Sequence, residues 1–531
     1  MLIPLLEHEL QNLLKSRRIY LTVTMFLLLF ATVFIVRAID FQKQINQYND
    51  DVMLNDKDLR EATNYSQIKP RAIQKPIIFS IFNEGFKIPR VITIQYYEPI
   101  TNTMTLNEET NLLYNESTQL DITFLITFFL SLFILLISYD SVNGEKQVGT
   151  LRILMTYPLK RQSFILKKTL GVFFFVALTF TIPYFLSIMG ITYHFVNVLS
   201  LNFFLSAIFY WFLVMLFIMF FSLLGIFISC CTTNPNRSLV YCLLVWIMFS
   251  IVLPISWDYI IAPRLYNDTL TQLSQGYRDK IMQAQRIMYN DVPDEANINL
   301  VGHMNWSGRH FFYETNVAGW KATHEQHHRY QMYIYENYFP VTRDAEQAYD
   351  EIQRKRIYME NVRNWVFFYN PIVLFNSLSA QITGNSREDL LRFLHTTREL
   401  RDELVNLGVS EEWLLDSRFF IMYELETDVM YNITDQYDLF MLIYEYAGGH
   451  GPLEDFFNEI GEERAVGYLQ EMVSQQERYN MVLPRFRRYE QPIYTFSEIF
   501  ARILQYLVVF VVSILVLWVM TWRKFLGFDV R

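Results

Sequence analysis

The sequence predicts an all-α polytopic membrane protein with six transmembrane helices and a mainly helical extracytoplasmic domain between spans 5 and 6. Three observations carry that reading. Uncharged apolar blocks long enough to cross a bilayer alternate with polar stretches as charged as a soluble protein. With 52% hydrophobic residues and a mean hydropathy of +0.14, the chain cannot be a wholly cytoplasmic enzyme. Short loops on one side concentrate Lys and Arg, and the three cysteines, Cys230, Cys231 and Cys242, all fall in or beside apolar blocks. The polar regions are therefore stabilised by packing and not by disulfides. A net charge of −9 and a pI near 5.6 argue against a nucleic-acid partner.

The elements follow in order. Residues 1–18 read as a cytosolic amphipathic helix, Ile3 to Lys15, with Lys15, Arg17 and Arg18 near its end. The first span, 19–37, is uncharged between Arg18 and Arg37 and lacks a small-x-small cleavage site, so it is expected to stay as an anchor. Residues 38–120 form an extracytoplasmic segment; Pro70, Pro76 and Pro89 and the alternating run Arg90 to Tyr97 predict a short mixed element whose aromatics pack on the larger domain. The second span is 121–140. No charge occurs from Thr169 to Asn236, a run twice too long for one helix, which divides at His194, Asn197, Ser200 and Asn202 into spans 169–193 and 203–230. The fifth and sixth spans are 238–259 and 499–522. Between them, 260–498 reads as a large helical extracytoplasmic domain with 3.6-residue periodicity at Ala345 to Phe368 and Arg387 to Leu407. Residues 523–531 are a cytosolic tail.

Orientation comes from Lys146, Arg152, Lys160, Arg161, Lys167 and Lys168 in the loop 141–168, from the basic N-terminal arm and from Arg523 and Lys524. Both termini are expected in the cytosol, in a plasma membrane of the bacterial inner-membrane kind.

No G-x-x-x-x-G-K-[ST] motif and no G-x-S-x-G elbow occurs, and the uncharged blocks of the spans, such as Ser238 to Trp257 and Ile503 to Trp522, carry no internal Asp, Glu, Lys or Arg, which disfavours an ATPase, a hydrolase or an ion-coupled carrier in this chain. His324-Glu325-Gln326-His327-His328 satisfies H-E-x-x-H, the spacing that places His324 and His328 on one helix face beside Glu325 as base, so a membrane-anchored zinc metallopeptidase is the rival reading from another class. Glu346, Glu351 and Glu360 are the candidates for a third ligand, and nothing singles one out. A polar helix face explains the motif without function, so no metal is expected.

The segment Ser141 to Lys168 is the most distinctive. Glu145 to Tyr157 predicts an amphipathic helix with Val148, Leu151, Leu154 and Met155 near one face, ended by Pro158. Taken by itself this is a basic membrane-surface helix. Glu145, Gly149, Thr150, Leu151, Arg152, Leu154, Pro158 and Arg161 together resemble the E-x-x-x-G-T-L-x-x-L-x-x-x-P-x-x-R signature of ABC-2 type permeases, the membrane subunits of ABC exporters. The order of elements agrees. Asn370-Pro371, Leu378 and Thr383-Gly384 are similar to the branch with a large insertion before the last span, to which the permease of the copper-site assembly system of nitrous oxide reductase is related. The resemblance implies that Glu145 to Tyr157 is a coupling helix docking on a separate ATPase dimer that carries ATP and Mg. It also implies a second permease copy or paralogue, with no cofactor in this chain. Leu151 and Leu154 would then fill an apolar groove on the ATPase, and Glu145 and Arg152 would set register by charge pairing. The lipid bilayer and an extracytoplasmic accessory protein complete the expected partners.

Overall fold

A computed structural model describes residues 17–61, 68–86, 88–101, 120–151, 161–195, 201–289, 328–411, 489 and 496–526. Six helices in it are long and apolar enough to cross a membrane. They are α1 (Arg17–Glu61); α2, built from Ile122–Phe124, a π-turn at Leu125–Leu130 and Ser131–Ser138; α4 (Arg161–His194); α5 (Leu201–Cys231); α6, running from Pro235 to Tyr289; and α10 (Phe496–Leu526). A short α3 (Asn143–Val148) follows α2, and α7 (Phe339–Val366), α8 (Pro371–Thr383) and α9 (Arg387–Ser410) lie between α6 and α10. The expected N-terminal helix lies outside the described residues.

Two of the six helices overrun their expected limits. The first continues past Arg37 to Glu61, 45 residues and roughly 68 Å, more than twice the hydrocarbon core. Residues 38–61 are polar but contain no Gly or Pro, so nothing in them stops a helix already nucleated in the membrane. Only after that does the mixed element begin, as the antiparallel pair β1 (Arg71–Ile73) and β2 (Val91–Thr93), with Arg71 opposite Thr93. The fifth span likewise passes Tyr259 and runs on to Tyr289.

α6 achieves this despite two prolines. π-Turns at Met248–Val252 and Trp257–Ile261 precede Pro254 and Pro263, and a third at Ile334–Tyr338 precedes Pro340. In each case the residue four before the proline, Ser250, Tyr259 or Glu336, is the middle of the π-turn. That is the carbonyl a proline ring collides with and to which it has no N–H to offer. Widening the helix there lets it continue without a break.

The core falls into unequal parts. The largest cluster joins α1, α2, α4, α5 and α10 through close ring contacts, among them Phe30 edge-on to Phe180 at 6.1 Å and Phe217 tilted against Phe375 at 4.9 Å. α5 is its centre, the most enclosed of the six. Gly225 of α5 touches α2 so closely that a Cβ there would fall 1.8 Å from Ser138 Oγ. Small residues of this kind let membrane helices meet where hydrophobic driving force is absent. α8 belongs to this cluster too: Ile372, Leu374, Phe375, Leu378 and Ile382 pack among the spans. Its 13 residues, about 20 Å, are too few to cross, and the loop at 78–86 meets its far end, where the Phe86 amide donates to the Asn385 carbonyl at 2.8 Å.

A second cluster gathers Ile68, Phe86 and residues 88–100 against the distal half of α6, α7 and α9, with Tyr97 edge-on to Phe339 at 5.7 Å. The aromatics of the smaller polar segment thus pack on the larger one as expected. Arg401 is fully buried and paired with Glu346, which also accepts from the Ile100 amide at 2.6 Å. Arg398 forks onto Asp350 at 2.8 and 2.9 Å and donates to the Ile100 carbonyl.

Candidate coupling site

The loop after α2 is held at its first turn. The Val142 and Asn143 amides both donate to Ser229 Oγ, at 3.1 and 3.2 Å, and Asn143 Nδ2 donates to Thr232 Oγ1 at 2.8 Å. Lys146 Nζ reaches the carbonyls of Cys230 and Thr232 at 3.1 and 3.3 Å. These are carbonyls at the C-terminus of α5, which have no intrahelical partner and sit at the negative end of the helix dipole, so an ammonium there both caps and neutralises.

The helix expected from Glu145 to Tyr157 does not run through. α3 stops at Val148 because Gly149 adopts φ 81, a left-handed cap closed by its amide on the Lys146 carbonyl at 3.2 Å. A Cβ at 149 would meet nothing, so glycine is required there for its backbone conformation. Beyond it Thr150 Oγ1 donates to the Glu145 carbonyl at 3.3 Å. Arg152, Leu154 and Pro158 lie outside the described residues.

Two of the expected contact residues are engaged within the chain. Glu145 accepts from Lys168 Nζ, whose ammonium also lies 5.8 Å from the Phe164 ring centre. Leu151, expected to fill a groove on a partner, is 3% exposed and shares a small cluster with Val142, Phe164, Ile165, Ile226, Cys230 and Phe525. The break at Gly149 resets the helical phase, so the face predicted from a continuous helix is not the outward one. Among the described residues of the segment, the apolar side chain that faces outward is Val148, at 77% exposure. Arg161 donates to the Leu526 carbonyl at 2.9 Å, and Phe164 stacks on Phe525 at 5.6 Å. The segment is thereby joined to the ends of α4, α5 and α10 at once. Asn143, Lys146, Lys168, Ser229, Thr232 and Phe525 were not among the sequence candidates. Ser229 and Thr232, polar residues closing an otherwise apolar span, were the available signal.

The H-E-x-x-H motif fares differently. His324 and Glu325 lie outside the described residues, and His328 is exposed. Of the candidate third ligands, Glu346 is committed to Arg401 and Glu360 to Arg387, while Glu351 is exposed. Among the described residues no group of three His, Cys, Asp or Glu is placed to hold a metal.

A family model described as ABC-2 family transporter protein matches residues 3–526. The chain belongs to this family. It is also similar, at 46% identity over 55 residues, to the probable ABC transporter permease protein NosY of Pseudomonas aeruginosa. That match covers 10% of this chain and 20% of the relative. This ABC-2 family member is a multi-pass membrane protein, and its loop after α2 is tethered to the helices around it.

Proposed function

We propose that the chain is the permease subunit of an ATP-binding cassette exporter, driven through residues 141–168 by a separate ATPase dimer that binds ATP and Mg. The observation that carries this reading is the tethering of α3 to the inner end of α5 by Asn143, Lys146, Ser229 and Thr232. A loop free to slide would dissipate a partner's movement; a loop fixed to the most enclosed span passes it on. In this reading both termini are cytosolic, the membrane is the plasma membrane, and a second permease copy completes the pathway.

Because Val148 faces outward and Leu151 does not, Val148→Asp is the decisive variant. It should reach the membrane at wild-type level yet fail to retain or stimulate the ATPase in co-purification. A fully stimulated, co-purifying ATPase would return the segment to a lipid-surface helix. Orientation is tested separately, by cysteine at Val148 or Glu399 in a cysteine-free chain and an impermeant thiol reagent on whole cells. Labelling is expected at 399 alone.

One observation favours a second reading, in which no substrate crosses and the outer region instead works on a partner or accessory protein. α1 and α6 both run far past the bilayer as unbroken helices, a form suited to carrying displacement outward.

A further inference from the structure

α7 and α8 form a hairpin whose turn is aromatic, Trp365-Val366-Phe367-Phe368-Tyr369. Its depth is fixed by Asn370, which caps α8 through the Ile372 amide and donates from Nδ2 to the Phe249 carbonyl at 3.0 Å. Phe249 lies within the uncharged stretch of α6, so the turn sits level with membrane-spanning residues. Its underside is packed: Phe367 is buried edge-on to Trp257 at 6.0 Å, beside Leu253, Met359 and Val373. Trp365 touches Tyr506 of α10 at 6.4 Å, so the hairpin is wedged between α6 and α10.

The other side is open. Trp365, Phe368 and Tyr369 are 50%, 50% and 43% exposed, and Ile255, Tyr259 and Leu265 on α6 are exposed as well. Residues of this composition at this level match the rings that lie at membrane interfaces, apolar in body with a polar edge in Trp and Tyr. Further along α7, roughly 15 Å from Trp365 at 1.5 Å per residue, the Lys355 ammonium stands 4.9 Å from the Tyr358 ring centre and 5.2 Å from that of Tyr266. The two rings are edge-on to each other at 6.4 Å. Among the described residues no carboxylate lies within 4.0 Å of that ammonium. The order along the helix, rings deepest and cation outermost, is that of acyl chain followed by phosphate.

We propose that this hairpin tip is a phospholipid site, in which Trp365, Phe368 and Tyr369 lie among acyl chains at the hydrocarbon boundary and Lys355 takes the phosphate. The site is independent of the ATPase reading. It makes the bilayer a specific ligand of the region between α6 and α10, beyond its role as solvent for the spans.

The test uses the full-length chain reconstituted in phosphatidylcholine vesicles with phosphatidylglycerol, the lipid brominated either near the glycerol end or near the chain end. The fluorescence removed by Trp365→Phe should be quenched, and more strongly by bromine near the glycerol end. A Trp365 component quenched by neither lipid overturns the proposal. Phe368→Cys carrying an environment-sensitive dye gives the same readout without altering a tryptophan. In parallel, Lys355→Gln should lose phosphatidylglycerol that co-purifies with the wild type, measured by mass spectrometry; unchanged retention removes the phosphate contact. Efficient disulfide formation between two copies carrying Trp365→Cys would show that another protein chain covers the face, and would also overturn it.

Discussion

The cluster around α5 and the cluster around α7 and α9 are held together by different physics. In the first, rings and small residues interlock, and the polar groups are mostly hydroxyls bonded to nearby carbonyls, as Thr127, Ser131 and Ser138 are. In the second, buried charge fastens the strand region to the helices: Glu346, Arg398, Arg401 and the backbone of residues 98–101 form one network. A chain in lipid gains little from burying apolar surface and must fit by shape. A chain facing water can hold a charge inside, provided it is fully partnered.

The sharpest way to break this contrast is Arg401→Met. It strands Glu346, 3% exposed, without its principal cation, at a cost of about 3–5 kcal/mol. Detachment of residues 88–101 should follow, read as protease sensitivity there while the spans remain intact. Adding Glu346→Gln should restore most of the loss, since replacing both members of a buried pair is nearly neutral. Gly225→Ala attacks the other cluster by overpacking, about 3 kcal/mol at a contact where Ser138 Oγ occupies the space a Cβ needs. Thermal stability in detergent should fall, and Ser138→Gly should rescue it. Lys146→Met leaves two carbonyls of α5 without their cation, about 2 kcal/mol. In co-purification the ATPase should stay bound to this variant with reduced stimulation, which separates transmission from docking. The smallest effect is expected from His328→Ala, within about 0.5 kcal/mol and without change in metal content by elemental analysis. Stoichiometric zinc lost in that variant would revive a peptidase.

The spans were legible because exclusion of charge from hydrocarbon is nearly absolute, so Arg18, Arg37, Asp121 and Arg502 bracket them in the one-dimensional sequence. Their continuations were not. Residues 38–61 and 262–289 are polar helix with no membrane to mark them, and Pro254 and Pro263 do not end α6 because π-turns absorb them. In the loop after α2 the helical phase is lost at Gly149: periodicity assumes one continuous helix, and a left-handed residue within it turns Leu151 inward and leaves Val148 outside. The tethers to Ser229 and Thr232 join positions more than eighty residues apart and leave no local pattern. α8 was hidden for a different reason. A thirteen-residue helix that mixes apolar residues with Asn376, Ser377, Ser379 and Gln381 resembles a core helix of a soluble domain, and only the spans around it reveal that it lies in the membrane cluster.

Arg37 sits where α1 leaves the uncharged stretch, holding Glu84 at 2.6 Å and the Ser80 carbonyl at 3.1 Å. Geometrically it is a fulcrum. From there to Glu61 the helix projects roughly 36 Å, so a tilt of about 10° at the pivot sweeps the tip through about 6 Å, one full helical turn. Angular changes too small to disturb side-chain packing within the bilayer become, at the far end of this arm, displacements large enough to make or break a protein contact.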